Sequence, residues 1–546
     1  MSLNFLIFFS YYLIILISIL GYGCFLLSFE KKNDNFFNLG YVGIAGIFFL
    51  VIYSYLSNIF IAHSKIHNSV IILIGFIIFL NFFRKNIKNK NLIKNLKLSI
   101  VIFLLLFISL LIEKNHDDFP YYHFSYTYQL TQDSLGFGIG KLNHGFRTPS
   151  SIFYLNSLFY LPLADYYLFN FSVIYILGFA NIILLKKISL FKDYRKKNTD
   201  FITYLSLLSL VFINIFFYRL AEHGTDRSAQ ILIFLLFINL LNCFHYKKLS
   251  NNDILFMYLI LGLIISLKSF YFLYLIFCIP FFWFVLNQKK KILSAINQIF
   301  INRYFFYLSL SIFSVLLMNI TNTGCWLYPI SLTCFENLQW SMSTESVTKM
   351  NNWYELWSKA GASPNFRVSN PDEYILRFNW VNNWIDQYFF NKVFDFLIGL
   401  IFLIFIFFVV FSKYKKGAKK ISVSKYNILT YLILMLILFE WFYNHPALRY
   451  GGDCVIALSI FIPFSIYLDK IKISFHKYSK IALILVMISF SIFEVRNYGR
   501  ILNEMDNYGY KPLNETFYSI DKKYFFIHKR IENLKNNACL FSKTIF

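Results

Sequence analysis

Apolar runs long enough to cross a bilayer recur from one end of this chain to the other, and they constrain its fold more than any other feature. Crossing the hydrocarbon core as a helix takes about 17 to 25 mostly apolar residues. Fourteen segments are predicted as spans: 3–28, 39–62, 67–83, 98–112, 166–185, 201–218, 228–244, 254–267, 270–286, 304–320, 391–411, 427–443, 454–468 and 480–494. Backbone amides have no water to bond in lipid, so segments of this kind fold as helices. Composition agrees: 58% of the 546 residues are hydrophobic, 15% are charged, and the mean hydropathy is +0.54, which excludes a water-soluble globular chain. The expected fold class is an all-α polytopic membrane protein of about fourteen helices. The first run is long and lacks a basic leader or a small-residue cleavage site, so it is expected to stay in the protein.

Charge sets the orientation. The loops 29–38, 84–97, 186–200, 245–253, 287–303, 412–426 and 469–480 together hold 30 Lys/Arg and 6 Asp/Glu, whereas the rest of the chain holds 22 of each. The whole surplus of 24 positive charges therefore lies in short loops on one face. The positive-inside rule places that face in the cytoplasm. A basic balance of this origin implies no nucleic-acid partner. The expected location is the bacterial inner (cytoplasmic) membrane, with the functional face extracytoplasmic.

This topology divides the chain into N-terminal transmembrane helices (1–97), a transmembrane core (98–320) with an external loop at 113–165, an external Trp-rich loop (321–390), C-terminal transmembrane helices (391–495) and a tail (496–546) expected to be external. The basic loops contain no Gly-rich phosphate loop, so chemistry is expected to face outward. Cys325 and Cys334 lie close together in TGCWLYPISLTCF at the start of the Trp-rich loop. An oxidising compartment would permit a disulfide there; the alternative is two buried thiols that never pair.

The external loop opens on NHDDFPYYHF, residues 115–124. Pro120 is predicted to turn the chain, leaving Glu113, His116, Asp117, Asp118 and His123 at the outer rim of span 98–112. A glycine-rich bend at Gly136, Gly138 and Gly140 follows, then NHGFRTPSS with His144 and Arg147. The run from Ser150 to Pro162 is too short and polar to cross the membrane and is predicted as a helix lying in the interface plane. Carboxylates at such a rim are placed to meet a lipid-linked substrate, although an Asp pair after a span can equally just end a helix in water.

Three other places concentrate charge at the same rim. YRLAEHGTDRS packs Arg219, Glu222, His223, Asp226 and Arg227 into a turn between spans. Lys268, in SLKSFY, is the only charge between Asp253 and Lys289, so it is either a snorkelling anchor or a ligand for an anion. YNHPALRYGGDC brings in His445, Arg449 and Asp453 on a backbone loosened by Pro446 and two glycines. The spans themselves carry almost no charge, so these groups form a ring at one leaflet.

An Asp-bearing first large external loop, helices within it, many spans and outer-face cations together resemble the C-type glycosyltransferase superfold, whose members use polyprenyl-phosphate sugars. HDDFPYYHF, NHGFRTPSS, RLAEHGTDRSAQ and NHPALRYGG also resemble a group of bacterial membrane proteins linked to surface-polysaccharide synthesis. The resemblance covers about 98–468 and has one departure: the loop follows the fourth span here, not the first. It implies a polyprenyl-phosphate-linked sugar as donor, a glycan or lipid as acceptor, Asp117 or Asp118 as general base, and Lys268, Arg227, Arg449 and Arg147 as cations for the departing lipid phosphate. His116, His123, His144, Glu222, His223, Asp226 and His445 would support them. The Asp pair with His116 and His123 could instead hold a divalent metal, although the spacing fits no specific ligand signature, and no other cofactor is implied. Of the eight tryptophans, Trp326, Trp340, Trp353, Trp357, Trp380 and Trp384 lie in 321–390 and could stack on acceptor sugars, though the last two precede a span and suit an interface.

Two other classes share some of these features. An O-antigen or capsule polymerase or ligase would have the spans, outer arginines and large loop without a single essential carboxylate in 113–165. A polysaccharide-precursor transporter should show broken helices at mid-membrane and an internal repeat. The sequence shows neither.

Overall fold

A computed structural model describes residues 2–29, 38–112, 118–188, 200–220, 224–289, 291–362, 368–414 and 423–514. These residues are mostly helical, with two isolated β-bridges and no named strand among them. Twelve of the helices are long and apolar enough to cross a membrane, and two more are apolar but shorter. In chain order they are α1 (Leu3–Ser28), α2 (Leu39–Phe60), α3 (Lys65–Asn86), α4 (Lys90–Leu111), α5 (Tyr166–Lys187), α6 (Phe201–Phe216), α7 (Gly224–Tyr246), α8 (Asn251–Leu267), α9 (Ser269–Lys289), α10 (Arg303–Thr323), α11 (Val381–Ser412), α12 (Lys425–Asn444), α13 (Gly452–Asp469) and α14 (Phe475–Tyr508).

Burial sorts them. α2, α5 and α7 are almost wholly enclosed, and so are the two short helices α6 and α8. A helix walled by protein need not match the full lipid thickness, which explains why these two look too short for lone spans. α3, α11, α12 and α14 instead present rows of exposed Ile, Leu and Phe, such as Ile398, Ile401, Phe402 and Phe405 on α11. A surface of that kind suits lipid and not water. The chain is a multi-pass membrane protein.

The first three helices pack by near backbone contact. A Cβ on Gly21 of α1 would lie 1.8 Å from the Gly75 carbonyl oxygen of α3, and one on Gly46 of α2 would lie 1.9 Å from the Ile19 carbonyl oxygen. In lipid, where apolar side chains have no solvent to escape, such close approach through small residues supplies much of the association.

The loops gather at two ends. At one, Arg303 donates to the Phe29 carbonyl (2.9 Å) and Gln288 to the Lys247 carbonyl (3.0 Å), tying together segments that carry the positive surplus. At the other, Gly138 N–H donates to Thr321 (2.7 Å), His63 N–H to Leu130 (3.0 Å) and the Trp384 indole to Pro446 (2.9 Å).

Four expectations change. The run 150–162 does not lie on the surface: its helix is only Ser151–Ser157 and is buried all round, held by His63 on Ser157 Oγ (2.6 Å) and Asn68 on the Ser157 carbonyl (2.8 Å). Pro120 does not break the chain but sits in the first turn of the π-helix Phe119–His123, where its missing N–H costs nothing. α11 begins at Val381, ten residues before the predicted 391, so Trp384 is inside it and Trp380 is fully buried at its start. α14 runs 34 residues, through the predicted span 480–494 and into the expected tail.

Candidate functional site

At the end away from the basic loops, helix termini bring together charges from four parts of the sequence. Asp118 precedes the π-helix that follows α4. Asp226 and Arg227 sit in the first turn of α7, where the helix dipole favours the carboxylate. Lys268 is the single extended residue between α8 and α9. Arg449 lies in a 3-10 turn between α12 and α13, and Gly451, at φ 99°, lets the chain re-enter α13 with Asp453 in its first turn.

The side chains form a chain of pairs, Asp118–Arg449–Asp226–Lys268, with a separate pair beside it. Arg449 Nη2 is 3.2 Å from Asp118 Oδ2, and its Nε is 3.4 Å from Asp226 Oδ2. Lys268 Nζ is 2.9 Å from Asp226 Oδ1, and Arg227 pairs with Asp453. Gln230 holds the Arg449 carbonyl (3.2 Å), while the rings of Tyr450 and Trp357 lie 5.6 and 5.5 Å from the guanidinium. Tyr450 also lies 4.5 Å under Lys268 Nζ. The acids differ in access. Asp226 and Asp453 are only 6% and 4% exposed, whereas Asp118 is 29% exposed and Arg449 28%. The two enclosed carboxylates anchor cations, and Asp118 is the accessible one.

Electrostatics follow from this packing. Burial opposes the charge of Arg449, but Tyr450, Asp226, Tyr122 and Asp118 outweigh it and hold the guanidinium above its ordinary pKa. Tyr122 donates to Asp118 (3.4 Å), and burial, with Asp118 beside it, raises its phenol well above the usual value, so it stays a donor. Burial, helped by Lys268 and Lys359, pushes His445 down to about 4. His445 is thus a neutral ring packed near Phe270 and Tyr450, not a further cation at pH 7. Burial and Arg147 also lower His144, against Asp118.

The remaining sequence candidates lie further out or beyond view. Arg147 donates to the Gly140 carbonyl (3.0 Å) and is in none of these pairs. His123 packs against Tyr122 and Phe153. His116, Asp117, Glu222 and His223 lie outside the described residues. Among the described residues no three His, Cys, Asp or Glu side chains converge as metal ligands. Cys325 and Cys334 are joined by a disulfide. Trp380 and Trp384 are packing residues, Trp340 donates to Ile320, and only Trp357 of the loop tryptophans touches the pairs. Tyr122, Gln230 and Tyr450 were not singled out by sequence; Tyr450 adjoins Arg449 and Tyr122 lies one helical turn after Asp118, which are the signals that could have found them.

A family model described as "Domain of unknown function (DUF8201)" matches residues 5–456. The chain belongs to the DUF8201 family. No curated protein and no solved structure matches it. The DUF8201 match encloses Asp118, Asp226, Arg227, Lys268, Arg449 and Asp453, and it ends in the first turns of α13. All of these ion pairs are thus inside the DUF8201 region, and α14 is outside it.

Proposed function

We propose that this DUF8201 protein transfers a sugar from a polyprenyl-phosphate donor to a glycan or lipid acceptor on the extracytoplasmic face of the bacterial cytoplasmic membrane, with fourteen spans and a C-type glycosyltransferase arrangement. The reading is carried by one observation: the chain Asp118, Arg449, Asp226, Lys268 at the end opposite the basic loops. Ionisable groups at membrane depth are costly and tend to mark functional sites, and only Asp118 among these acids combines a cation partner with access.

In the proposed reaction the acceptor hydroxyl attacks the anomeric carbon as the bond to the phosphate oxygen breaks. Asp118 takes the hydroxyl proton and the electron pair leaves with the lipid phosphate. Arg449 and Lys268, already fixed by Asp226, are placed to neutralise the charge that develops there. Tyr122 orients the Asp118 carboxylate. Asp117, next in sequence, remains a candidate for the same role.

The test is the surface glycan profile of cells in which Asp118→Asn, Asp117→Asn or the double variant is the only copy, beside a protein blot. Loss of the glycan at normal protein level is expected. Normal glycan in all three would remove the transferase reading.

A further inference from the structure

The turn that carries Arg449, residues 445–451 between α12 and α13, is gripped by side chains along its backbone. Buried main-chain groups outside a helix ladder need other partners, and Ala447 and Leu448 are buried. The partners come from three helices. The Trp384 indole N–H donates to the Pro446 carbonyl (2.9 Å) and the Trp441 indole N–H to the Ala447 carbonyl (3.0 Å). Leu448 N–H donates to the Tyr388 hydroxyl (2.9 Å), and the Gln230 amide donates to the Arg449 carbonyl (3.2 Å). Each residue from 446 to 449 is thus tied to a side chain of α7, α11 or α12.

Helix spacing places these groups. Trp384 and Tyr388 lie four residues apart on α11, so both face the turn, with their rings 5.9 Å apart. Asp226 and Gln230 are likewise four apart on α7. α7 therefore holds Arg449 twice, by Asp226 Oδ2 at the guanidinium Nε (3.4 Å) and by Gln230 at the main-chain carbonyl. Gln230 is wholly buried, and its Oε1 accepts from no group among the described residues, so the bond to Arg449 is what its amide makes there. Trp441 reaches the turn because Gly452 has no side chain: a Cβ there would lie 2.4 Å from the indole Cζ2. An arginine side chain has many rotamers, and a free loop adds backbone freedom. Both must be restrained before the charge can act at a fixed point, and misplacement of about 1 Å can cost about 100-fold in rate.

We propose that Tyr388, Gln230, Trp384 and Trp441 are positioning residues for Arg449: they act through the main chain of residues 446–449 to keep its guanidinium beside Asp118 and the departing phosphate. The part played in transfer rests on the sugar-transfer reading, while the grip on Arg449 does not depend on it. Tyr388→Phe and Gln230→Met are the informative variants. Each removes the polar group that touches the turn and leaves the packed volume nearly unchanged.

The experiment follows the reaction of Arg449 with phenylglyoxal, which condenses with guanidinium groups, in full-length protein in nanodiscs, read peptide by peptide by mass spectrometry. Tyr388→Phe and Gln230→Met should each speed modification of Arg449 by about fivefold, the size expected when one such hydrogen bond is lost, and leave Arg147 at its wild-type rate. If Tyr388→Phe fails to accumulate, Gln230→Met carries the same test. Trp340→Phe removes an indole–carbonyl bond of the same kind, to Ile320 (2.9 Å), outside the turn, and should change neither arginine. In cells the two variants should lower the surface glycan by about tenfold or more at normal protein level. If Asp118→Asn leaves the glycan normal, the transfer reading fails and the phenylglyoxal rates alone decide the grip on Arg449. An unchanged Arg449 rate, an equal rise at Arg147 or after Trp340→Phe, or normal glycan where Asp118→Asn abolishes it overturns the proposal.

Discussion

At the scale of single residues, three aspartates that look alike in sequence have different work. Asp226 and Asp453 are enclosed and each holds a cation, so Asp226→Asn strands Lys268 and half of the Arg449 contact in a buried site. Breaking a buried pair in this way costs about 3–5 kcal/mol, and Asp226→Asn should lower the amount of folded protein and its midpoint in detergent. Asp118→Asn removes a partly exposed pair and should cost about 1 kcal/mol or less in the same assay. Under the proposed function, the same variant should lower glycan transfer by about 100- to 10,000-fold, as for loss of a general base. His445 gives a pH signature. Its folded pKa, about 4, lies below the unfolded 6.5, so the folded state binds fewer protons and its contribution to stability is complete above 6.5 and lost as pH falls toward 4. His445→Gln should flatten that acid limb of a melting profile; an unchanged limb would mean other groups cause it. The charges themselves were legible, since a chain so apolar makes each ionisable residue near a span conspicuous. Their partners were not. Arg449 and Asp118 are 331 positions apart, and with 40 Tyr and 68 Phe in the chain, only adjacency to a charge set Tyr122 and Tyr450 apart from the rest.

At the scale of elements, hydrophobic runs located nearly every long helix but missed their ends. The start of α11 is written VNNWIDQYFFNKV, whose polar residues mask a helix that includes the π-turn Ile385–Val393. The buried helix Ser151–Ser157 was mistaken for an interfacial one because composition cannot say whether an apolar face meets lipid or protein. Glycine spacing carried information that hydropathy does not use. Gly21→Leu or Gly46→Val should force α1 away from α3 or α2, a strain of about 1–3 kcal/mol or more, read as a lower midpoint in detergent. Gly499→Ala on α14, with nothing within 4 Å of an added Cβ, is the matched control and should be neutral or slightly stabilising. The disulfide predicts that Cys325 and Cys334 resist alkylation until reductant is added, in protein taken directly from the envelope.

At the scale of the whole molecule, the charge asymmetry read from sequence and the two gatherings of loops describe the same two ends. A cysteine at Ser343 should react with an impermeant maleimide in intact cells, and one at Lys88 only after the membrane is opened; the reverse order would invert the molecule and move the Asp118 cluster to the cytoplasm. Of all this, the polytopic class, the segregation of charge and the four clusters could be read from the sequence. How the clusters pair could not, because pairing depends on how fourteen apolar helices pack, and apolar surfaces in lipid leave few marks in composition. The enclosure of α2 bears on the departure from the C-type pattern, since four helices precede the Asp-bearing loop here, three more than that pattern has. α2 is surrounded by α1, α5 and α8, and its far end holds the loop through Asn58, which donates to Leu130 and Asp133 (both 3.2 Å). The leading helices are therefore no detachable preface: a chain begun at α4 would lose a central pillar along with the scaffold that seats Asp118, so no shortened version should retain the fold.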